Sequence, residues 1–297
     1  LVRSRGLGDV YKRQIPCAQI LPFAPLTRTK HMYMINGNEL SGAEIFGWEF
    51  LGTMVLLLLG NGVCAANSLR TSAAKNTGWL LIAFGWGLAV FAGASVSHPT
   101  GGHINPAVTL ALCIADKTPW GAFIYYILGQ FLGAMVGALL AWAAFKQQFD
   151  ANAYNDDGTE SGANATIGNV FHTRPAGKSM VWNHVTEIIA TFVLVLFILV
   201  GLWNNDPTNL GNLTYAGVAG IIVAIGMSLG SPTGYSLNPA RDLGPRIMYA
   251  FVLPIKGKGT GEWKNAIHPT VGPLIGAALA AACLLYTSPS PRDRTRS

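Results

Sequence analysis

The chain has 297 residues, of which 51% are hydrophobic and only 11% are charged. A soluble globular domain carries about 25% charged residues, so the composition excludes an ordinary soluble protein and indicates a membrane protein. The net charge of +6 resides in the two ends, because residues 1–31 carry +5 and residues 287–297 carry +2. The remainder is close to neutral, and no nucleic-acid partner is expected.

Both ends differ in composition from the rest of the chain. Residues 1–31 show no helical or strand period, and residues 287–297 are rich in Pro, Ser and Arg. We predict that both are non-native or disordered tails, and that the natural protein starts at Met32 or Met34. The predicted organisation between them is a first repeat over 32–150, an inter-repeat loop over 151–182 and a second repeat over 183–286.

Six apolar runs are long enough to cross a hydrocarbon core of about 30 Å at 1.5 Å per residue. Cysteines are few and show no CxxC spacing, so we predict no metal site, no disulfide framework and no cofactor. The six predicted spans are 43–65, 78–97, 121–144, 183–203, 214–231 and 268–286.

A ten-residue motif occurs twice. Residues 99–108 read PTGGHINPAV and residues 232–241 read PTGYSLNPAR. Each motif opens a short apolar segment, 106–115 or 239–250, that crosses only about half a bilayer as a helix. Because each repeat has three spans, the second copy is inverted, and the two half-helices enter from opposite faces. We predict an all-α membrane protein with six transmembrane helices, two re-entrant half-helices and an inverted three-span repeat.

The Asn-Pro-Ala triplets favour helix starts at mid-membrane, because Asn caps free backbone donors and Pro has no donor to lose. Irregular backbone at this depth is tolerated only where it is buried in protein or lines a watery cavity. The triplets are Asn105, Pro106, Ala107, Asn238, Pro239 and Ala240. The carbonyl groups predicted to line a pore belong to Gly102, His103, Ile104, Gly234, Tyr235 and Ser236.

Charged residues inside the apolar segments are few. Each half-helix N-terminus carries roughly half a positive charge, which favours a neutral, hydrogen-bonding permeant over a cation. Arg241 would cost about 3 kcal/mol facing lipid, so we expect it to face the pore. Glu49 and Glu187 occupy matching positions in the two repeats, and we predict that they support the re-entrant loops. Asp242 is also predicted to be structural, holding the loop or Arg246.

These motifs and spans resemble the major intrinsic protein family of aquaporins and glycerol facilitators over about residues 40–286. The NPARD sequence from Asn238 to Asp242 is similar to the glycerol facilitator, or aquaglyceroporin, branch. The resemblance implies a homotetramer in a bacterial plasma membrane, with cytoplasmic termini although the positive-inside rule suggests the reverse. It also implies passive diffusion of glycerol, related polyols and water, with no catalytic step.

The resemblance further implies a selectivity filter, the narrowest part of the pore. Its residues would be Trp86, Gly226, Tyr235 and Arg241. Water-selective members carry His where this chain has Gly226, so we expect room there for a carbon chain. Tyr235 stands where many facilitators carry Phe, which adds a hydroxyl to that wall.

Two alternatives remain open at the level of sequence. One is a mainly water-selective channel, which Gly226 disfavours. The other is a proton-coupled transporter, suggested by the inverted repeats and the intramembrane Glu49 and Glu187. A membrane enzyme is disfavoured, because His103 has no partner acid or metal-ligand spacing.

Overall fold

The computed structural model describes residues 32–203 and 214–287; both predicted tails lie outside these ranges, except for residue 287. The described part of the chain contains nine α-helices. They are α1 Gly42–Ser68, α2 Trp79–Val96, α3 Pro106–Ile114, α4 Phe123–Ala144, α5 Lys146–Asn152, α6 Met180–Trp203, α7 Thr214–Ser228, α8 Pro239–Ile247 and α9 His268–Thr287.

Five described helical segments are long and apolar enough to cross a membrane; they include α1, α2, α4, α6 and α9. The fifth predicted span, 214–231, corresponds to α7, a shorter apolar helix of 15 described residues. It ends at Ser228 because Gly230 and Pro232 follow and disfavour further helix. The all-α membrane fold predicted from the sequence is confirmed by these helices and by the structural comparison below.

One element was not predicted, a β-hairpin that precedes α1. Its strands are β1 Met32–Ile35 and β2 Asn38–Ser41, which pair antiparallel. The turn residues Asn36 and Gly37 have φ values of 48° and 76°, the left-handed region that two-residue hairpin turns require. The Asn36 amide donates to the carbonyl oxygen of His98 at 2.8 Å, so the hairpin is tied to the first re-entrant loop.

The full spans pack closely through glycines. Gly129, Gly133 and Gly137 lie one turn apart on α4 and face α1. A Cβ atom at Gly129 would lie 2.6 Å from the carbonyl oxygen of Phe46, so only glycine allows this approach. Glycines at the same spacing on α9 face α6, which makes these two helix pairs counterparts in the two repeats.

The half-helices α3 and α8 are each nine residues long. Asn105 and Asn238 are their N-caps, in extended backbone conformation, and Pro occupies the first helical position of each. Beyond Ile247 the second half-helix continues as a π-helical turn, Met248–Val252, so the predicted segment 239–250 is α-helical only in its first nine residues.

The predicted inter-repeat loop contains the end of α5 and a 3₁₀ helix, Ala163–Val170. Asn164 anchors it, because its buried amide donates to the carbonyl oxygens of Phe149 at 3.1 Å and Lys256 at 2.8 Å. The loop then returns over α8 through the buried residues His172 and Thr173.

Candidate functional site

The two half-helices meet through reciprocal hydrogen bonds. The Asn105 amide donates to the carbonyl oxygen of Leu237 at 2.9 Å. The Asn238 amide donates to the carbonyl oxygen of Ile104 at 2.8 Å. Each amide nitrogen carries two hydrogens and uses one for this bond, so a second donor remains at each Asn. Both half-helix N-termini therefore face one point with donor capacity left over.

The backbone before each Asn is held in a rare conformation. Ile104 and Leu237 have φ values of 44° and 56°, and Tyr235 has 37°. The left-handed region is unfavourable for these bulky side chains, by about 1–3 kcal/mol per residue. Such strain persists only where surrounding contacts fix the backbone, and the carboxylates below provide those contacts.

Glu49 supports the first re-entrant loop from inside the bundle. Its fully buried carboxylate accepts from the backbone N–H of His103 at 3.2 Å and of Ile104 at 2.8 Å. It also accepts from the Thr100 hydroxyl at 2.6 Å and the Gln130 amide at 2.7 Å. Four donors thus surround one carboxylate.

Glu187 has the matching position in the second repeat. It accepts from the backbone N–H of Ser236 and of Leu237, both at 3.0 Å, and from the Thr233 hydroxyl at 2.7 Å. The two carboxylates differ in one respect, because the side-chain amide that reaches Glu49 has no counterpart among the hydrogen bonds described for Glu187.

His103 is oriented by a polar chain that ends at Glu49. Its Nδ1 atom lies 3.1 Å from the Thr109 hydroxyl, which in turn accepts from Gln130 at 2.9 Å. The imidazole stacks on the Tyr126 ring with centroids 4.2 Å apart. These contacts fix the ring beside the backbone that precedes Asn105.

Two cavities meet at the predicted filter. The first, which we call the Asn cavity, has a volume of about 210 Å³ and contains Asn105 and Asn238. The second, the loop cavity, has about 230 Å³. Each volume is large enough for several water molecules. The loop cavity is lined by polar residues that include Asn67, Ser68, Asn169, His172, Thr173 and Ser231.

Three residues line both cavities: Trp86, Tyr235 and Arg241. They therefore form the constriction between the cavities. The residues whose carbonyl groups were predicted to line the pore are divided between the same two cavities. Gly102, His103, Ile104, Tyr235 and Ser236 line the Asn cavity, and Gly234 and Tyr235 line the loop cavity.

Arg241 lies over the face of Trp86, with the guanidinium carbon 3.8 Å from the ring centre. The Trp86 indole N–H donates to the Cys64 sulfur at 3.3 Å, which orients the ring. Arg241 is only 7% exposed, and its Nη1 atom has no hydrogen-bond partner among the described residues. A buried guanidinium with free donors suits an uncharged hydrogen-bond acceptor at the constriction.

Gly226 differs from the expectation drawn from the sequence. A Cβ atom there would lie 2.9 Å from Cζ of Tyr235 and 3.1 Å from its hydroxyl oxygen. The Tyr235 ring therefore occupies the space that glycine leaves, and Gly226 lines neither cavity. The room beside Gly226 accommodates this ring rather than an open passage for a carbon chain.

Asp242 holds the inter-repeat loop over α8. Its carboxylate accepts from the Thr173 backbone at 2.8 Å and from the Thr173 hydroxyl at 2.6 Å. It also pairs with Arg246 at 2.7 Å, and both of these side chains are fully buried. The acid next to Arg241 is thus engaged elsewhere, which leaves the Arg241 guanidinium facing the constriction.

Sequence reasoning missed several supporting residues. The sequence did contain a signal for Thr100 and Thr233, because both occupy the same position, directly after Pro, in the repeated motif. Gln130 had a weaker one, as a polar residue within a Gly-rich span. The sequence contained no signal for Thr173, because its hydrogen-bond partner Asp242 lies 69 positions away. No cluster of three or more His, Cys, Asp or Glu side chains suited to a metal occurs in the part of the chain that the structure describes.

Apolar helices around two opposed, Asn-capped half-helices define a class of polytopic membrane proteins with re-entrant loops. The Major intrinsic protein family model matches residues 42–286. The chain belongs to this family, which confirms the resemblance found in the sequence.

Several relatives match most of the chain. A glycerol uptake facilitator protein of Streptococcus pneumoniae (strain R6) is 48% identical over 239 residues, covering 80% of this chain and 96% of the relative. One from Bacillus subtilis (strain 168) is 43% identical over 234 residues, covering 78% and 81%. Among solved structures, the aquaglyceroporin from Plasmodium falciparum has a TM-score of 0.69 at 31% identity, covering 82% of this chain and 95% of that one.

Proposed function

We propose that this protein is a passive channel for glycerol and other small neutral solutes, with water, and that it excludes ions and protons. The observation that carries the proposal is the buried Arg241 guanidinium, stacked on Trp86 with a free donor where two cavities meet. The names of the relatives, glycerol uptake facilitators, support the choice of solute.

A polyol has an apolar and a polar edge, and the constriction has both kinds of wall. The apolar surfaces of the Trp86 and Tyr235 rings accommodate the C–H edge, while Arg241 donates to the hydroxyl groups. The carbonyl oxygens of the re-entrant loops accept from hydroxyl groups along the path, and Asn105 and Asn238 donate to them in the Asn cavity. Every step exchanges hydrogen bonds with water for hydrogen bonds with the protein.

Cations are opposed by the positive charges along the proposed path. The half-helix N-termini and the Arg241 charge are all positive and converge on one narrow path. The buried carboxylates Glu49, Glu187 and Asp242 are all occupied by backbone or side-chain donors. A cation therefore loses hydration without meeting a free negative group, and a proton finds no free acceptor acid.

The proposed setting is the plasma membrane of a bacterium, with cytoplasmic termini and four identical subunits that each contain a pore. Large apolar side chains on the outer helix surfaces support contact with lipid or with another subunit. Examples are Trp182, 69% exposed, and Phe251, 72% exposed. No catalytic step, cofactor or metal is part of the proposal.

The test is stopped-flow light scattering on proteoliposomes. Purified protein should raise glycerol and water permeability over protein-free vesicles, with a glycerol rate that does not saturate. Water permeability alone would indicate the water-selective alternative. Solute accumulation driven by an imposed pH gradient would indicate the proton-coupled carrier. Trp86→Ala should lower discrimination between solutes while flux persists.

A further inference from the structure

Trp79 lies behind the filter and is not one of the four filter positions. It is the first residue of α2 and lines the loop cavity. Its indole N–H donates to the carbonyl oxygen of Gly226 at 2.7 Å. Its ring meets the Tyr235 ring edge-on, with centroids 5.8 Å apart and an interplanar angle of 70°. One side chain thus contacts two filter positions.

The Gly226 carbonyl is available because α7 ends two residues later, at Ser228. The last four carbonyl groups of a helix have no partner within the ideal helical ladder. Ile225 finds one in the N–H of Leu229 at 2.7 Å, and Gly226 finds one in Trp79. The indole therefore caps the C-terminal end of α7 at the level of the filter.

Gly226 on α7 and Gly230, two residues beyond the end of that helix, form the surface on which the Tyr235 ring lies. A Cβ at Gly230 would lie 2.6 Å from Cδ1 of Tyr235 and 2.9 Å from Cζ2 of Trp79. The Tyr235 hydroxyl reaches the carbonyl oxygen of Ile82 only at 3.5 Å, a weak contact. The position of the Tyr235 ring is therefore set mainly by the glycine surface and by Trp79.

We propose that Trp79 is a positioning residue that fixes how far the Tyr235 ring projects into the constriction, and thereby sets the upper size limit for permeating polyols. The inference rests on the proposed channel function. Without the hydrogen bond from the Trp79 indole to the Gly226 carbonyl, the C-terminal end of α7 and the Tyr235 ring become more mobile. The ring can then move out of the constriction, so larger solutes can pass.

The experiment compares Trp79→Phe with wild type in proteoliposomes, using the linear polyols glycerol, erythritol and xylitol. Phe keeps an aromatic edge for Tyr235 but has no N–H for Gly226. We expect the ratio of erythritol to glycerol permeability to rise about fivefold, the factor that corresponds to one ordinary hydrogen bond. The matched control is Trp120→Phe, because Trp120 is 54% exposed and lines neither cavity; it should keep the wild-type ratio.

A double mutant separates positioning from general loosening of the fold. In a Tyr235→Ala background the wall is absent, so adding Trp79→Phe should not change the ratio further. An unchanged ratio in the single variant, or an equal rise in the Tyr235→Ala background, would overturn the inference and leave the channel function standing. Wild-type vesicles that pass no glycerol would overturn both.

Discussion

Asn238 donates its side-chain amide to the carbonyl oxygen of Ile104 at 2.8 Å, across 134 positions of sequence. The bond from Asn105 to Leu237 mirrors it at 2.9 Å. Each bond runs from one half-helix cap to the strained residue before the other cap. The two re-entrant loops thus hold each other, and the centre of the pore depends on both.

Asn238→Ala should destabilise the protein because it removes this bond and the cap of α8 together. We expect the free energy of unfolding to fall by about 1–3 kcal/mol, with a parallel loss of glycerol permeability. Thermal unfolding in detergent at a fixed scan rate measures the first effect. Asn155→Ala, in the exposed part of the inter-repeat loop, is the control. A wild-type melting temperature in Asn238→Ala would contradict the interpretation.

Glu49→Gln should cost more stability than Glu187→Gln. The amide nitrogen of Gln would face groups that are themselves donors, and Glu49 has four such groups where Glu187 has three. The expected losses are about 2–4 kcal/mol, read as shifts in melting temperature.

The control for these two variants is Glu39→Gln on the exposed hairpin. Both buried variants also test the carrier alternative. If either folded with wild-type stability and lost only uptake driven by a pH gradient, the scaffold role would be wrong.

Arg241→Ala should weaken ion exclusion while glycerol still passes. Removing a buried positive charge from the constriction lowers the barrier to cations, and we expect proton and sodium conductance in planar bilayers to rise about tenfold or more. Arg241→Lys keeps the charge but loses the planar stacking on Trp86, so it should restore exclusion more than solute selectivity. Arg70→Ala, which breaks a surface pair with Asp156, should leave conductance unchanged. Equal conductance in wild type and Arg241→Ala would contradict the role of Arg241.

Acid should destabilise the inter-repeat loop through His172. The pKa of this imidazole is lowered from 6.5 to about 4, mainly by burial and also by the nearby Arg246 charge, although Asp242, the Thr173 carbonyl and Glu262 act in the opposite direction. Between these two pH values the unfolded chain binds a proton that the folded chain does not, so stability falls as pH decreases from 6.5 towards 4. The contribution is about 2–3 kcal/mol.

His172→Gln cannot gain this proton, so its melting temperature should fall less between pH 7 and pH 4 than that of wild type. Melting curves of both proteins in the same detergent across this range provide the measurement. Parallel decline in the two proteins would show that His172 does not carry the acid sensitivity.

Much of this protein can be predicted from local sequence. Hydropathy locates the spans, since each must satisfy its backbone within the bilayer. The repeated motif gives the half-helices, because Asn caps and Pro starts a helix wherever they occur together. The hairpin at Asn36 and Gly37 also had a local signal, an Asn-Gly pair, but lay beside the predicted tail and was missed.

The shape of the proposed filter was decided by tertiary structure. Gly226 alone suggested open space, yet the Tyr235 ring occupies it because Gly226 and Gly230 leave room for the ring and Trp79 holds it there. Gln130 reaches Glu49 only because close glycine packing brings α4 against α1. Sequence therefore determined which segments enter the membrane and where the pore centre lies, since these follow from backbone satisfaction and capping. Only packing between distant segments decided the shape of the constriction, because Trp86 and Arg241 meet there although more than one hundred positions separate them in sequence.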